Sequence, residues 1–126
     1  MRSLLIFVIL LLSTHTADAQ TKTVVAGKPF RLDFAYATNP DCTSNGDVVV
    51  RVTSPPSNGS ISISRSRVFP KFPASNIRSA CNSRRVPGTI ATYIARRGYT
   101  GPDTVSLEMI FPSGLHRQQT YYLTVR

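Results

Sequence analysis

Apolar and polar residues alternate along several short stretches of the chain. Phe30, Leu32, Phe34 and Tyr36 occupy every second position, so they share one face of an extended strand. The same two-residue period, or an enrichment in β-branched and aromatic residues, recurs in six other stretches. The predicted strands are Thr21–Ala26, Phe30–Tyr36, Asp47–Thr53, Ser60–Ser64, Thr89–Ala95, Thr104–Phe111 and Gln119–Val125.

Glycine, proline and asparagine separate these stretches, as in Pro55-Pro56-Ser57-Asn58-Gly59, and no stretch keeps a helical period. We therefore predict an all-β fold, an antiparallel β-sandwich of about seven strands that buries its alternating apolar residues between two sheets. The chain has no tryptophan, so an antibody-type core built around a central tryptophan is excluded.

The first nineteen residues have the organisation of a cleavable secretory signal. Arg2 precedes an apolar run from Leu4 to Leu12, and Ala17-Asp18-Ala19 follows it. That run would span roughly 14 Å as a helix, about half of a bilayer's hydrocarbon core. We predict a signal peptide over 1–19, a single domain over 20–126, and a periplasmic or secreted protein without a transmembrane anchor after cleavage. A buried N-terminal helix is the alternative.

Two cysteines, Cys42 and Cys81, remain after the predicted cut. Export to an oxidising compartment favours a disulfide between them. Closing so long a loop would stabilise the fold by roughly 4 kcal/mol in the chain-entropy model. A redox-active dithiol is the alternative, although it normally requires a closer spacing.

The predicted domain is strongly basic. It keeps 14 Lys and Arg residues against 5 Asp and Glu residues, so its net charge remains +9. Such a charge favours anionic partners, here an anionic envelope polymer, lipid headgroups or a protein. We expect no nucleic-acid partner, because an exported protein does not normally meet DNA or RNA. The alternative is a solvated surface that keeps the protein in solution.

The segment Arg65–Arg85 is longer than an ordinary hairpin connection and concentrates this charge. A Cys42–Cys81 disulfide would fix it against the rest of the domain. We predict that its cations form a binding surface; an insertion without a partner is the alternative. The candidate contacts are Arg67, Lys71, Arg78, Arg84 and Arg85.

Two motifs resemble the bacterial Ig-like or cadherin-like repeats of secreted and surface proteins. They are Pro56-Ser57-Asn58-Gly59-Ser60-Ile61 and the stretch from Tyr93 to Ser106, which contains Gly98-Tyr99-Thr100-Gly101-Pro102-Asp103. The resemblance implies an Ig-like sandwich with a binding or structural role. Gly98, Tyr99, Gly101 and Asp103 would form a tight corner, with Asp103 capping backbone N–H groups. The chain departs from the family in having one copy, a disulfide and a basic loop.

The predicted domain lacks a recognisable catalytic or cofactor-binding constellation. His116 stands alone in a predicted turn, the few carboxylates form no clear pair, and both cysteines are assigned to the disulfide. Asp103 alone does not make a calcium site. We therefore expect no enzyme activity, no cofactor and no metal.

These observations lead to one functional hypothesis and two alternatives. We expect a non-enzymatic exported binding or structural module of the cell envelope that uses a basic, disulfide-pinned loop. The first alternative is a secreted or periplasmic inhibitor of an envelope-active enzyme. The second is an enzyme with an unrecognised site.

Overall fold

The computed structural model describes residues 19–126, which contain seven β-strands and one short 3₁₀ helix. All seven predicted strands are present. The predicted signal peptide lies outside the described residues except for Ala19, which begins the first strand. The strands are β1 (Ala19–Val24), β2 (Phe30–Ala35), β3 (Val49–Ser54), β4 (Gly59–Val68), β5 (Val86–Ala95), β6 (Gly101–Ile110) and β7 (His116–Val125), and the 3₁₀ helix is Ser79–Ser83.

The strands form two sheets. One has four strands in the order β1-β7-β6-β3, and the other has three in the order β2-β5-β4. Four of the five strand pairings are antiparallel, whereas β1 runs parallel to β7. The predicted β-sandwich is confirmed. The parallel pairing has no local sequence signal, because strand direction depends on the path of the whole chain.

The core lies between the two sheets and consists of the alternating residues of their strands. Val105 and Leu107 from β6 are completely buried, as are Ala91 and Tyr93 from β5, and Tyr121 from β7. Their neighbours along each strand point to the opposite face. The two-residue period of the sequence therefore specified the buried face of β6 and β7 correctly. It was wrong for β2, where Phe34 does not share the buried face of Leu32.

A β-bulge interrupts the pairing of β2 with β5. Arg31 pairs with Thr92 and Asp33 pairs with Ala91, so Leu32 is the additional residue. The shift brings Asp33 to the inner side, opposite the buried Ala91. Phe34 pairs with Ile90 and lies on the outer face of the three-stranded sheet.

The basic excursion begins later than predicted. Arg65–Val68 continue β4 and pair with residues 86–89 of β5, so the loop itself comprises residues 69–85. Val68 and Val86 face each other and are buried apart from the main core, as is Cys81. Within residues 19–126, no helix is long and apolar enough to span a bilayer.

Candidate functional site

The disulfide between Cys42 and Cys81 is present, as predicted. Cys42 lies in a short turn in which its amide donates to the carbonyl of Asn39, and Cys81 is completely buried in the 3₁₀ helix. The bond joins the basic loop, residues 69–85, to the segment between β2 and β3. The covalent link therefore fixes the loop to that segment.

Hydrogen bonds to backbone groups also order the basic loop. Asn82 forms a pair of bonds with Phe72, in which its Oδ1 accepts from the Phe72 amide and its Nδ2 donates to the Phe72 carbonyl, both at 2.9 Å. The Lys71 amide donates to the phenol oxygen of Tyr36 at 2.7 Å. The loop thus has a defined conformation, which a binding surface requires.

The five predicted contact residues do not form one cluster. Arg67 lies on β4, where its guanidinium donates to the carbonyl of Arg85 at 2.5 Å. The Arg85 guanidinium lies 5.3 Å from the centre of the Phe69 ring, and Arg84 is exposed beside it. These three arginines share one region at the end of β4 and the start of β5.

Arg78 and Lys71 lie elsewhere. Arg78 is half-buried, and its Nε donates to the carbonyl of Thr38 at 2.7 Å, so it fastens the loop to the segment after β2. The ammonium group of Lys71 lies 5.5 Å from the centre of the Phe34 ring. Arg78 therefore has a structural contact, while Lys71 belongs to a second surface.

Carboxylates do not neutralise these five cations in the described part of the chain. The two ion pairs found among residues 19–126 join Arg65 to Asp47 and His116 to Glu108. Both partners of the Arg65 pair are mostly exposed, so water screens that interaction. The positive charge of these five residues is therefore not balanced by a carboxylate within residues 19–126.

A groove of about 500 Å³ lies beside β1 and β2, the edge strands of the two sheets. It combines aromatic rings with positively charged side chains, and we call it the aromatic groove. Its rings belong to Phe34, Tyr36, Phe72 and Phe111, and its cations are Lys22, Arg31, Lys71 and Arg117.

The rings and cations of the aromatic groove contact one another. The Tyr36 ring lies 6.0 Å from Phe34 and 5.2 Å from Phe72, with the second pair edge to face. The Arg31 guanidinium lies 4.7 Å from the centre of the Phe34 ring, which is a favourable cation–π contact. Arg117 lies in the same way 5.8 Å from the Phe111 ring.

Asp33 is the one carboxylate among the described residues that line the aromatic groove. Its Oδ1 accepts from the Phe34 amide at 2.8 Å, and its Oδ2 accepts from the phenol of Tyr121 on the other sheet. Asp33 thus connects the two sheets at this edge. Sequence reasoning missed the groove, although the Arg31-x-x-Phe34 spacing next to Tyr36 was a weak signal.

The predicted corner is present, with one correction. Gly98 and Gly101 have φ angles of 79° and 129°, which favour glycine, and Tyr99 closes the turn through a bond from its phenol to the Pro102 carbonyl. Asp103, however, is buried within β6 and accepts from amides of the distant Ser57–Asn58 turn as well as from its neighbour Thr104. It therefore ties two turns together.

His116 is not the lone turn histidine that the sequence indicated. It begins β7, where it pairs with Ile110 of β6. Its Nε2 lies 2.5 Å from Oε1 of Glu108, which is two residues before Ile110 on β6. Among residues 19–126, no three His, Cys, Asp or Glu side chains come together in a way that could hold a metal ion. The His116–Glu108 pair has no recognisable nucleophile beside it in the part of the chain that the structure describes.

Comparisons with known proteins assign no family. No protein-family model matches the chain, and no curated protein matches its sequence. Among solved structures, the solution structure of amebosin is similar, with a TM-score of 0.44 and 16% sequence identity over 84% of this chain and 88% of that chain. A likeness at this level carries no functional argument, so the resemblance to bacterial Ig-like repeats stays a prediction.

Proposed function

We propose that the protein is a non-enzymatic, exported binding module of the cell envelope, periplasmic or secreted, that holds an anionic partner through its cations. The observation that carries this proposal is the charge of residues 65–85, which include six Lys and Arg residues and no Asp or Glu. Of these cations, Arg65 has an ion pair within the described chain. Anionic polymers and lipid headgroups are the partners that such a surface attracts.

The rigidity of the basic loop supports the same function. The Cys42–Cys81 bond and the Asn82–Phe72 hydrogen bonds hold its backbone, so its cations lose less conformational freedom on binding. A disulfide is also typical of proteins that fold in an oxidising compartment, which supports export. Arginine suits the role because it pairs with phosphate and carboxylate groups through two parallel hydrogen bonds.

Co-sedimentation with vesicles of phosphatidylglycerol and phosphatidylcholine, and retention on immobilised heparin, test the proposal. A variant in which four loop-region cations become glutamine should bind both probes more weakly. Its binding should also depend less steeply on salt, because fewer charges are screened. The four positions are Arg67, Lys71, Arg84 and Arg85; Arg78 is left unchanged because it fastens the loop.

A matched control separates this surface from net charge. Glutamine at four exposed cations elsewhere removes the same charge and should weaken binding less. These positions are Lys28, Arg51, Arg97 and Arg126. Equal losses in the two variants would show that binding follows total charge alone, and a single salt-resistant protein partner recovered from envelope extract would favour the inhibitor alternative instead.

A further inference from the structure

We propose that the aromatic groove binds a segment of an acidic polysaccharide, with sugar rings packed on its aromatic side chains and acid groups paired with its cations. This inference rests on the proposed function, because it names the chemical class of the anionic partner. It moves the specific contacts from the basic loop to the edge of the sandwich, where only Lys71 of the five predicted contacts lies.

The charges of the groove point to an anion. The Arg31 guanidinium and the Lys71 ammonium group both lie within 5.5 Å of the centre of the Phe34 ring, although like charges repel. Neither side chain has an ion pair in the described part of the chain. A carboxylate or sulfate group bound at the Phe34 ring would be attracted by both cations.

The rings of the groove point to a ligand with an apolar face. Phe34, Tyr36, Phe72 and Phe111 all line the groove and are all partly exposed, although Phe111 also packs against the core. A sugar ring has a flat C–H face that packs on an aromatic ring, and its hydroxyl groups project from the edge. A groove lined by rings with polar groups at the rim matches both parts of a sugar.

Asp33 and Gln20, which also line the groove, provide those polar groups. The Asp33 carboxylate accepts two hydrogen bonds, from the Phe34 amide and the Tyr121 phenol. A carboxylate has about four acceptor positions, so Asp33 retains capacity for a ligand hydroxyl. The volume of about 500 Å³ is within the range of small-ligand sites and accommodates a short oligosaccharide segment.

The geometry disfavours the two other anionic partners. An acidic peptide that added a strand to the β2 edge would meet the bulge at Leu32, which interrupts the regular row of backbone groups that such pairing requires. On the β1 edge, a peptide strand would pair through backbone groups alone and would leave the aromatic rings of the groove without a role. A bilayer surface is broad and nearly flat, whereas these cations surround a concave groove. A polymer chain can enter the groove, which leaves the polysaccharide as the occupant that fits.

Isothermal titration of residues 20–126, oxidised, with oligogalacturonate tests the proposal, alongside a neutral malto-oligosaccharide, oligoglutamate and phosphatidylglycerol vesicles. We expect oligogalacturonate to bind and the neutral sugar to bind far more weakly. The double variant Arg31→Gln and Arg117→Gln should weaken binding by about tenfold or more, because two charge-assisted contacts are lost. Phe34→Leu should also weaken it, because the leucine keeps apolar bulk but has no ring.

The double variant Arg51→Gln and Arg97→Gln is the matched control, since it removes the same charge at exposed positions outside the groove. It should leave oligogalacturonate affinity nearly unchanged. Circular dichroism and thermal unfolding of every variant show whether the fold is retained, and the two arginine-to-glutamine pairs concern exposed side chains.

The outcomes distinguish this inference from the proposed function. Equal binding of oligoglutamate or of the neutral sugar would overturn the polysaccharide assignment, as would an equal effect of the two double variants. Vesicle binding that requires the basic loop, without oligogalacturonate binding, would overturn the groove and leave the proposed function intact. Absence of binding to every anionic probe would overturn both.

Discussion

The phenol of Tyr93 on β5 donates a hydrogen bond of 2.7 Å to Oδ2 of Asp103 on β6, and so connects the two sheets inside the sandwich. Tyr93 is fully buried, and Asp103 is 5% exposed. The same carboxylate accepts from the amides of Ser57, Asn58 and Thr104 at 3.0–3.1 Å. Four donors therefore satisfy one buried charge, as burial of a carboxylate requires.

Asp103→Asn should destabilise the protein. The asparagine amide nitrogen would replace one carboxylate oxygen and face donors that it cannot accept from, so at least one buried N–H group would lose its partner. We expect a loss of about 2–3 kcal/mol, and a melting temperature lower by roughly 10 °C. Thermal and urea unfolding measure the change.

Asp47→Asn is the control for that substitution. It removes the exposed ion pair with Arg65, which is worth at most about 1 kcal/mol. If the two asparagine variants unfolded at the same temperature, the Asp103 network would contribute no more than a surface pair, and its proposed role would be wrong.

Tyr93 should not ionise while the protein is folded. Burial raises the pKa of the Tyr93 phenol far above its ordinary value, and its hydrogen bond to the Asp103 carboxylate raises it further. An unfolded tyrosine has a pKa of about 10. Above that pH the unfolded chain loses the proton and the folded chain does not, so the stabilisation present at lower pH is progressively lost.

Parallel measurement of phenolate absorbance and circular dichroism during an alkaline titration checks this expectation. Ionisation of Tyr93 should coincide with unfolding. Tyr93→Phe identifies the signal, because it removes one phenolate from the step that accompanies unfolding. A Tyr93 phenolate that forms while the circular dichroism is still native would contradict the prediction.

The strands could be predicted because the alternation of apolar and polar residues is a local property of the sequence. The disulfide could be predicted because the predicted domain has two cysteines and a predicted signal for export. The same alternation ended the fourth strand at Ser64, since the apolar positions stop there. The pairing of Arg65 with Thr89 and of Arg67 with Pro87 shows that the strand continues with charged side chains. The prediction relied on apolar residues that bury one face of a strand. β4 is an edge strand, and its residues 65–67 pair with β5 without such burial.

The aromatic groove could not be predicted because its parts are far apart in sequence. Lys22, Arg31 and Arg117 come from β1, β2 and β7, and they meet because both sheets end at the same side of the sandwich. Asp33 reaches the groove and Tyr121 through the β2 bulge. A bulge of this kind has no clear sequence signal, so the site depends on sheet order and register.

Gly59→Ala should destabilise the fold through a direct clash. A Cβ at this position would lie 2.6 Å from the Ile94 carbonyl oxygen and 2.7 Å from the Tyr93 ring, so the backbone of β5 or the Tyr93–Asp103 contact must move. Overpacking of this kind costs about 1–3 kcal/mol. Urea unfolding measures it.

Gly98→Ala is the matched comparison, because a Cβ there meets no atom within 4 Å and only the backbone angle, φ 79°, opposes it. That strain costs about 1–2 kcal/mol. If the clash is the cause, the NMR resonances of the Tyr93 ring should shift in the Gly59→Ala variant and should stay unchanged in the Gly98→Ala variant. The reverse pattern would refute it.

Removal of the disulfide should affect both stability and binding. The bond joins residues 39 positions apart, and its loss releases loop-closure entropy in the unfolded chain worth roughly 4 kcal/mol. The double variant Cys42→Ala and Cys81→Ala should therefore melt well below the oxidised wild type, by roughly 15 °C or more. Reductant should shift the wild type in the same direction and leave the double variant unchanged.

The binding consequence follows from the contacts that the bond supports. Without it, hydrogen bonds such as Arg78–Thr38 and Lys71–Tyr36 must fasten the basic loop to the rest of the domain, so the loop should exchange its amide hydrogens faster than the strands. Vesicle binding at temperatures where the double variant is folded should weaken, because ordering the loop then opposes binding. Retained affinity with rapid loop exchange would show that the cations act without a fixed loop, and would remove the disulfide from the binding mechanism.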